Sequence, residues 1–155
     1  MPVNNAGIAG PRREVRDLWG DDAALVFGTN VVGNVRVTHA FLPLERSEAP
    51  QVINVVSGTG SFSRVTDPST RESEIRMPLY SSSKSALTML TVQYAKAFPA
   101  VRFNAADPGE TPTDLNAGNG SQSLEEGTDA IVRLVLLGAD TPTGTFVDRA
   151  GPVGW

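Results

Sequence analysis

Cysteine is absent from the sequence, and histidine occurs once, at His39. The lack of cysteine excludes disulfide bonds, thiolate catalysis and zinc–cysteine sites. A single histidine excludes a multi-histidine site, so no metal centre is predicted. No apolar run reaches the roughly 18 residues that a membrane-spanning helix needs, and no signal peptide is visible. We therefore expect a soluble, cytoplasmic protein without a membrane partner.

Charge is also scarce, and positive charge most of all. Lysine and arginine number 13 against 17 acidic residues, for a net charge of −4, and charged residues make up 19% of the chain. This balance gives no electrostatic attraction to nucleic acid or anionic membrane. With 155 residues, 40% of them hydrophobic, the chain has the length of one ordinary domain. We expect a single domain over residues 1–155, rich in turns.

Short β-branched segments alternate with longer segments of helical periodicity. Strands are predicted at residues 1–3, 51–57, 101–106 and 145–147, and helices at residues 24–44, 79–98 and 124–137. A polar segment, 45–50, follows the first helix, and residues 58–78 are predicted as a long polar loop. Strands that alternate with helices in this way are typical of a parallel sheet with helices packed over it.

One tyrosine and one lysine form the ends of the segment Tyr80-Ser81-Ser82-Ser83-Lys84. A spacing of four positions puts both side chains on one helix face. A phenol with its ordinary pKa near 10 is a poor acid–base catalyst at neutral pH, whereas a nearby ammonium favours the phenolate. A chance pairing on an ordinary helix is the alternative, but the only other such residues, Tyr94 and Lys96, are two positions apart and cannot share a face. We interpret Tyr80 and Lys84 as a candidate catalytic pair.

Small and polar residues follow three of the predicted strands. Ser57 ends the second strand, residues 4–7 (Asn-Asn-Ala-Gly) follow the first, and residues 107–109 (Asp-Pro-Gly) follow the third, with Thr111 and Thr113 close behind. Ligands of open parallel sheets bind outside the carboxyl ends of the strands, and small residues let a ligand approach the backbone. Ser57 could donate to a substrate carbonyl there; an ordinary turn serine is the alternative. Asp107 is interpreted as a turn residue.

Taken in this order, these residues resemble the short-chain dehydrogenase/reductase family. The resemblance covers almost the whole chain, and the residues that carry it are Asn4-Asn5-Ala6-Gly7, Asn30, Ser57, Tyr80 with Lys84, and Pro108-Gly109 with Thr111 and Thr113. It implies a Rossmann-like, doubly wound parallel sheet. It also implies reversible hydride transfer between NADP or NAD and a small-molecule carbonyl or secondary alcohol, with NADP slightly favoured as a habit of the family.

The resemblance further implies a role for each residue. Tyr80 would be the catalytic acid/base, Ser57 would orient and polarise the carbonyl or alcohol, and Lys84 would lower the tyrosine pKa and bind the nicotinamide ribose. Asn30 would hold a water in the proton relay. The cofactor would lie against Asn5, Ala6 and Gly7 on its adenosine side and against Pro108, Gly109, Thr111 and Thr113 beside the nicotinamide and pyrophosphate. Helices 24–44 and 79–98 correspond to the family's subunit interface, which implies a homo-oligomer.

Three features depart from the family's pattern. The sequence has no Thr-Gly-x-x-x-Gly-x-Gly turn, which would place the pyrophosphate at a helix N-terminus. We therefore expect an N-terminally truncated member that holds only family strands 4 to 7 and binds NAD(P)H weakly on its own. Val56 stands where the family often has a serine. Ser57 and Tyr80 are 23 positions apart, a longer separation than is common in the family. The extra length, in residues 64–77, suggests a modified rim of the substrate site.

Two other functions stay open. The chain could be a non-catalytic truncated member that associates with a full-length relative; the missing Gly-rich turn favours this, and the intact Ser57, Tyr80 and Lys84 argue against it. A sugar-nucleotide epimerase or dehydratase also uses a Tyr-x-x-x-Lys pair, but residues 4–7 and the short C-terminal region argue against that branch. Residues 12–13, a pair of arginines, could reach a cofactor phosphate or remain solvated.

Overall fold

The computed structural model describes residues 1–44 and 49–155, and within them four strands form one sheet in the order β1-β2-β3-β4. All three neighbouring pairs are parallel. The strands are β1 Val3–Asn4, β2 Gln51–Val55, β3 Arg102–Ala106 and β4 Thr145–Val147. The predicted parallel sheet of a Rossmann-like fold is confirmed, and its strand order follows the order of the chain.

The helices are α1 Gly20–Phe27, α2 Asn34–Phe41, α3 Phe62–Val65, α4 Pro78–Ala97 and α5 Leu124–Leu136. The helix predicted at 24–44 begins earlier, and a π-helical segment, Gly28–Gly33, separates α1 from α2, which continues into a 3₁₀ turn at Leu42–Leu44. Residues 45–48 of the polar segment predicted to follow it lie outside the described residues. None of the helices in the described part of the chain has the length and hydrophobicity that a membrane-spanning segment requires.

Residues 58–78 are not the long irregular loop that the sequence predicts. They contain α3 and two 3₁₀ segments, Gly58–Gly60 and Arg71–Glu74. The prediction was wrong because serine was taken as a loop former, whereas here serine hydroxyls start short helical turns. Ser57 Oγ accepts a hydrogen bond from the Thr59 amide (3.3 Å), and Ser61 Oγ accepts one from the Arg64 amide (3.2 Å).

Hydrophobic clusters lie on both faces of the sheet, because successive residues of a strand point to opposite sides. On one face Val52 and Phe103 pack against Ala95 of α4. On the other face Ile53 packs with Leu134 of α5 and its neighbours. The sheet is therefore the middle layer between α4 and α5, and the ends of its strands lie where both helices can contribute side chains.

A chain of polar side chains crosses the buried α4 face of the sheet. The Asn54 side chain, fully buried in the middle of β2, accepts a hydrogen bond from Asn4 Nδ2 (2.8 Å) and donates one to Thr91 Oγ1 of α4 (2.8 Å). Asn4 Nδ2 also lies 3.2 Å from Asn34 Oδ1 and 3.1 Å from Thr38 Oγ1 of α2. These contacts hold β1, α2 and α4 to the centre of the sheet.

Replacing Asn54 by alanine should destabilise the fold strongly. The Asn54→Ala change removes an acceptor from Asn4 and a donor from Thr91 without exposing either group to water. We expect the free energy of unfolding to fall by about 2–4 kcal/mol, measured by urea denaturation. Asn119→Ala, at an exposed asparagine, is the matched control and should change it by less than about 0.5 kcal/mol. A loss below about 1 kcal/mol for Asn54→Ala would contradict the importance of this network.

Candidate active site

A cavity of about 670 Å³ lies at the carboxyl ends of the strands. Because the carboxyl ends of parallel strands meet at one edge, segments far apart in the sequence contribute to it. The residues predicted from the sequence that line it are Asn5, Gly7, Ser57, Tyr80, Lys84, Pro108, Gly109, Thr111 and Thr113. Ala6 is exposed and does not line it, and Asn30 is buried without reaching its surface.

A second cavity of about 690 Å³ meets the first one at Ser57, Tyr80 and Gly109. Its wall combines apolar side chains with arginines: Leu18, Ile75, Met77, Leu79, Arg12, Arg13 and Arg76. The segment predicted as a modified substrate rim thus contributes part of this wall. The two arginines at 12–13 also belong to it and do not line the first cavity.

The Tyr80 phenol lies between the two cavities and is buried. Ser57 lines both cavities with it, and Ser57 Oγ accepts a hydrogen bond from the Thr59 hydroxyl (3.1 Å). Burial raises the pKa of Tyr80 to about 12; the Ser57 side chain acts in the opposite direction, and the negative charge of Asp107 adds to the rise. The tyrosine is therefore held as a neutral phenol, with a serine hydroxyl at the same cavity wall.

Lys84 lies one turn further along α4 and is also buried. Its Nζ donates to the backbone carbonyl of Val55 (2.8 Å) and lies 5.6 Å from the centroid of the Tyr80 ring. Burial lowers the pKa of Lys84 to about 8, against a smaller upward effect of Asp107. The lowering of the tyrosine pKa predicted for Lys84 is not visible in the net shift, because burial raises the pKa of Tyr80 by more than the favourable contacts lower it. The ammonium sits over the face of the ring, where burial outweighs any help it could give to a phenolate.

Asn30, in the π-helical segment, ties the loop after β1 to α4. Its Oδ1 accepts from the Ile8 amide (2.8 Å), and its Nδ2 donates to the Ile8 carbonyl (3.0 Å) and to Ser83 Oγ (2.9 Å). Ser83 Oγ in turn donates to the Tyr80 carbonyl (2.7 Å). A Cβ at Gly7 would lie 3.4 Å from Lys84 Nζ and 3.5 Å from Asn30 Oδ1, so a glycine lets this loop pass close to both side chains.

Asp107, at the end of β3, makes two contacts, and only one of them was predicted from the sequence. Its Oδ1 accepts from the Gly109 amide (2.9 Å), the turn role that was predicted. Its Oδ2 also accepts from Arg64 Nη1 (3.3 Å), and burial raises the pKa of the carboxyl, with Arg64 acting against that rise. Arg64 was missed because it lies 43 positions away, in the segment taken for a loop, and no local pattern links the two.

The helix α5 closes the cavity from the far side, which the sequence reading also missed. Leu124, Thr128 and Ile131 line it. A Cβ at Gly127 would lie 2.2 Å from Thr111 Oγ1, so the helix packs directly on the loop after β3. The Thr111 hydroxyl donates to the Pro108 carbonyl (3.1 Å) and shapes that loop from within.

A parallel sheet whose strands end at a cavity is the arrangement in which Rossmann-type folds bind their ligands. The family model of the short chain dehydrogenases matches residues 1–124. The chain therefore belongs to the short-chain dehydrogenase family, which confirms the resemblance found in the sequence.

The chain is similar to the short-chain dehydrogenase anuI of Penicillium roqueforti, at 33% identity over 99% of this chain and 65% of that protein. It is similar to (+)-neomenthol dehydrogenase of Capsicum annuum, at 30% identity over 78% of this chain and 49% of that protein. A solved carbonyl reductase of Pseudomonas aeruginosa in complex with NADP superposes with a TM-score of 0.77 at 26% identity, over 99% of this chain and 65% of that one. The chain thus spans about half to two thirds of the length of these relatives.

The buried lysine should make the stability of the protein depend on pH. A charged Lys84 costs the folded state free energy below its pKa of about 8, and the cost vanishes as pH rises toward the ordinary value of 10.5. We expect the free energy of unfolding to rise by roughly 2 kcal/mol between pH 8 and pH 10, measured by urea denaturation.

Two lysine variants separate this effect from general alkaline behaviour. Lys84→Met should abolish the rise, because the titrating group is gone. Lys96→Met removes an exposed lysine from the same helix and should retain it. Parallel pH curves for the wild type and Lys84→Met would show that Lys84 is not the buried titrating group.

Proposed function

We propose that the protein is an NAD(P)-dependent oxidoreductase that transfers a hydride between the nicotinamide cofactor and a carbonyl or secondary alcohol. The observation that carries the proposal is the position of Ser57 and Tyr80 together at the wall that two cavities share. One cavity has room for the nicotinamide and the other for a substrate whose oxygen meets both hydroxyls. The relatives named above as dehydrogenases, and the carbonyl reductase bound to NADP, support the same reaction class.

In the proposed reduction, the phenol of Tyr80 donates its proton to the carbonyl oxygen. The Ser57 hydroxyl, which lines the same two cavities as the phenol, holds that oxygen and stabilises the negative charge that develops on it. The nicotinamide supplies the hydride when it is bound. One proton and one hydride convert the carbonyl to an alcohol, and the tyrosinate that remains is stabilised by the Lys84 ammonium on the next turn of α4.

The protonation states at neutral pH suit the direction of carbonyl reduction. With a pKa of about 12, Tyr80 carries the proton that it has to give, and with a pKa of about 8, Lys84 is largely charged. Oxidation of an alcohol needs the phenolate at the start of the reaction. The rate of alcohol oxidation should therefore increase at alkaline pH.

Two glycines of the first cavity support the assignment of the cofactor to this side of the site. Gly7 and Gly109 leave room for close approach, and Gly109 adopts a φ of 66° that a side chain would disfavour. We assign Lys84 to the ribose, Asn5, Ala6 and Gly7 to the adenosine side, and Pro108, Gly109, Thr111 and Thr113 to the nicotinamide and pyrophosphate. NADP is the proposed preference over NAD, and Asn30 is proposed to hold the water of the proton relay.

We also propose a homo-oligomer whose subunits meet through helical residues 24–44 and through α4. Large apolar side chains are exposed along these helices, among them Leu25 (58%), Phe41 (48%) and Met89 (58%). Apolar surface of this kind is typical of a protein interface.

A second candidate function is a non-catalytic role in association with a full-length relative. The exposed apolar side chains of these helices would serve such an association equally well. Turnover by the protein, abolished by a change at Tyr80, decides between the two.

Tyr80→Phe removes the proton that is transferred and retains the ring. We expect turnover to fall at least about 100-fold, followed as oxidation of NADPH and of NADH, each at millimolar concentration, with a panel of ketones and aldehydes. The matched control is Tyr94→Phe, because Tyr94 stacks on Phe103 in the core, with ring centroids 5.2 Å apart, outside both cavities.

The controls fix the meaning of each outcome. Tyr94→Phe should keep turnover within about twofold of the wild type, and circular dichroism should show both variants folded. Near-normal turnover by Tyr80→Phe would overturn the assignment of the acid. No turnover by the wild-type protein with any carbonyl would overturn the oxidoreductase proposal and favour the non-catalytic role.

A further inference from the structure

Arg64 of α3 contacts three carboxylates from three different segments. Its Nη1 lies 3.1 Å from Glu72 Oε1 and 3.3 Å from Asp107 Oδ2, and its Nη2 is hydrogen-bonded to Asp148 Oδ2. Glu72 belongs to the segment before α4, Asp107 follows β3 and Asp148 follows β4. The side chains are mostly buried, with 25% of Arg64 and 7% of Asp107 exposed. One guanidinium thus joins the ends of two strands to the segment that separates Ser57 from Tyr80.

This ion cluster, defined as Arg64, Glu72, Asp107 and Asp148, touches the candidate active site from two sides. On one side it packs on the residue after the catalytic serine: a Cβ at Gly58 would lie 2.3 Å from Glu72 Oε1 and 3.0 Å from both Arg64 Nη1 and Asp107 Oδ2. On the other side Asp107 lines the same cavity as Tyr80 and Lys84. The cluster is therefore in contact with the site, although Arg64 itself lines neither cavity.

We propose that Arg64 is a positioning residue for the site: it holds the Asp107 carboxylate at the cavity wall, offsets its negative charge, and thereby sets the charge that Lys84 experiences. The inference rests on the proposed function in one respect, since it takes Lys84 and Tyr80 to be the reacting pair. Arg64 acts through Asp107 and does not touch the reacting atoms.

The electrostatic relations within the cluster agree with this role. The negative charge of Asp107 acts to raise the pKa of both Tyr80 and Lys84. Arg64 acts to lower the pKa of Asp107, while Glu72 and Asp148 act to raise it. Without the guanidinium, three carboxylates would face one another, and the Asp107 charge would act on Lys84 without compensation. Lys84 should then hold its proton to higher pH.

The charge on Lys84 can be followed without substrate or cofactor. The chain has two lysines, so protein labelled with ¹³C-lysine gives two Cε resonances, and the exposed Lys96 serves as an internal reference. In Arg64→Met we expect the midpoint of the Lys84 titration to rise by at least about half a pH unit. Arg64→Lys, which retains a positive charge, should restore most of the wild-type value.

A second pair of variants tests whether Arg64 acts through Asp107. Asp107→Asn retains the acceptor for the Gly109 amide and removes the charge, so it should lower the Lys84 midpoint. In the Asp107→Asn background, Arg64→Met should change the midpoint by less than half of its effect in the wild type. Arg71→Met removes an exposed arginine paired with Glu110 outside the ion cluster and should leave the midpoint unchanged.

An unchanged or lowered midpoint in Arg64→Met, or an equal effect in the Asp107→Asn background, would overturn the inference. If Arg64→Met does not unfold cooperatively, Arg64→Gln takes its place, and Asp107→Asn alone still tests the sign. The titration tests the electrostatic link from Arg64 to Lys84, and the turnover assay tests the oxidoreductase proposal, so either can be refuted without the other. An inactive protein with the expected titration shifts would refute the oxidoreductase proposal and leave the link from Arg64 to Lys84 intact.

Discussion

The hydrogen bond from Lys84 Nζ to the Val55 carbonyl joins α4 to the end of β2 over 2.8 Å. The rest of the candidate site depends on this contact, because Ser57 follows β2 by two residues and Tyr80 lies one turn before the lysine. A buried ammonium loses its hydration, and one carbonyl together with the face of an aromatic ring replaces only part of it. The interaction that brings the serine and the tyrosine together is therefore also a cost to the stability of the fold.

Much of this arrangement could be predicted because its determinants are local. The alternation of β-branched and helical segments predicts the parallel sheet, and a spacing of four places Tyr80 and Lys84 on one face of α4. Pro78 stands in the first turn of that helix, where its missing amide hydrogen costs nothing. The residues that follow each strand meet at one edge for a topological reason alone, so the predicted site residues, Ala6 and Asn30 apart, line one cavity.

The rest could not be predicted, because it depends on contacts between distant segments. Arg64 meets Asp107 only when α3 folds back beneath the strand ends, and the serine-rich sequence around it gives no sign of that turn. Asn54 lies in a β-branched strand, where a sequence reading assigns only apolar contacts, yet its amide is fully buried and paired. The direction in which the pKa of Tyr80 shifts could not be predicted either, since it depends on how deeply the phenol is buried and not on its spacing from Lys84.

The first strand, β1, has only two residues, and so few backbone hydrogen bonds that they define its alignment weakly. Asn4 lies opposite Asn54 in the sheet, and its amide donates to that residue's side chain. A shift of one position would turn Asn4 to the other face and place the apolar side chain of Val3 against the polar groups of α2 and α4. The asparagine pair thus selects a single alignment, and the loop of residues 5–8 leaves the sheet from a fixed point at the rim of the cavity.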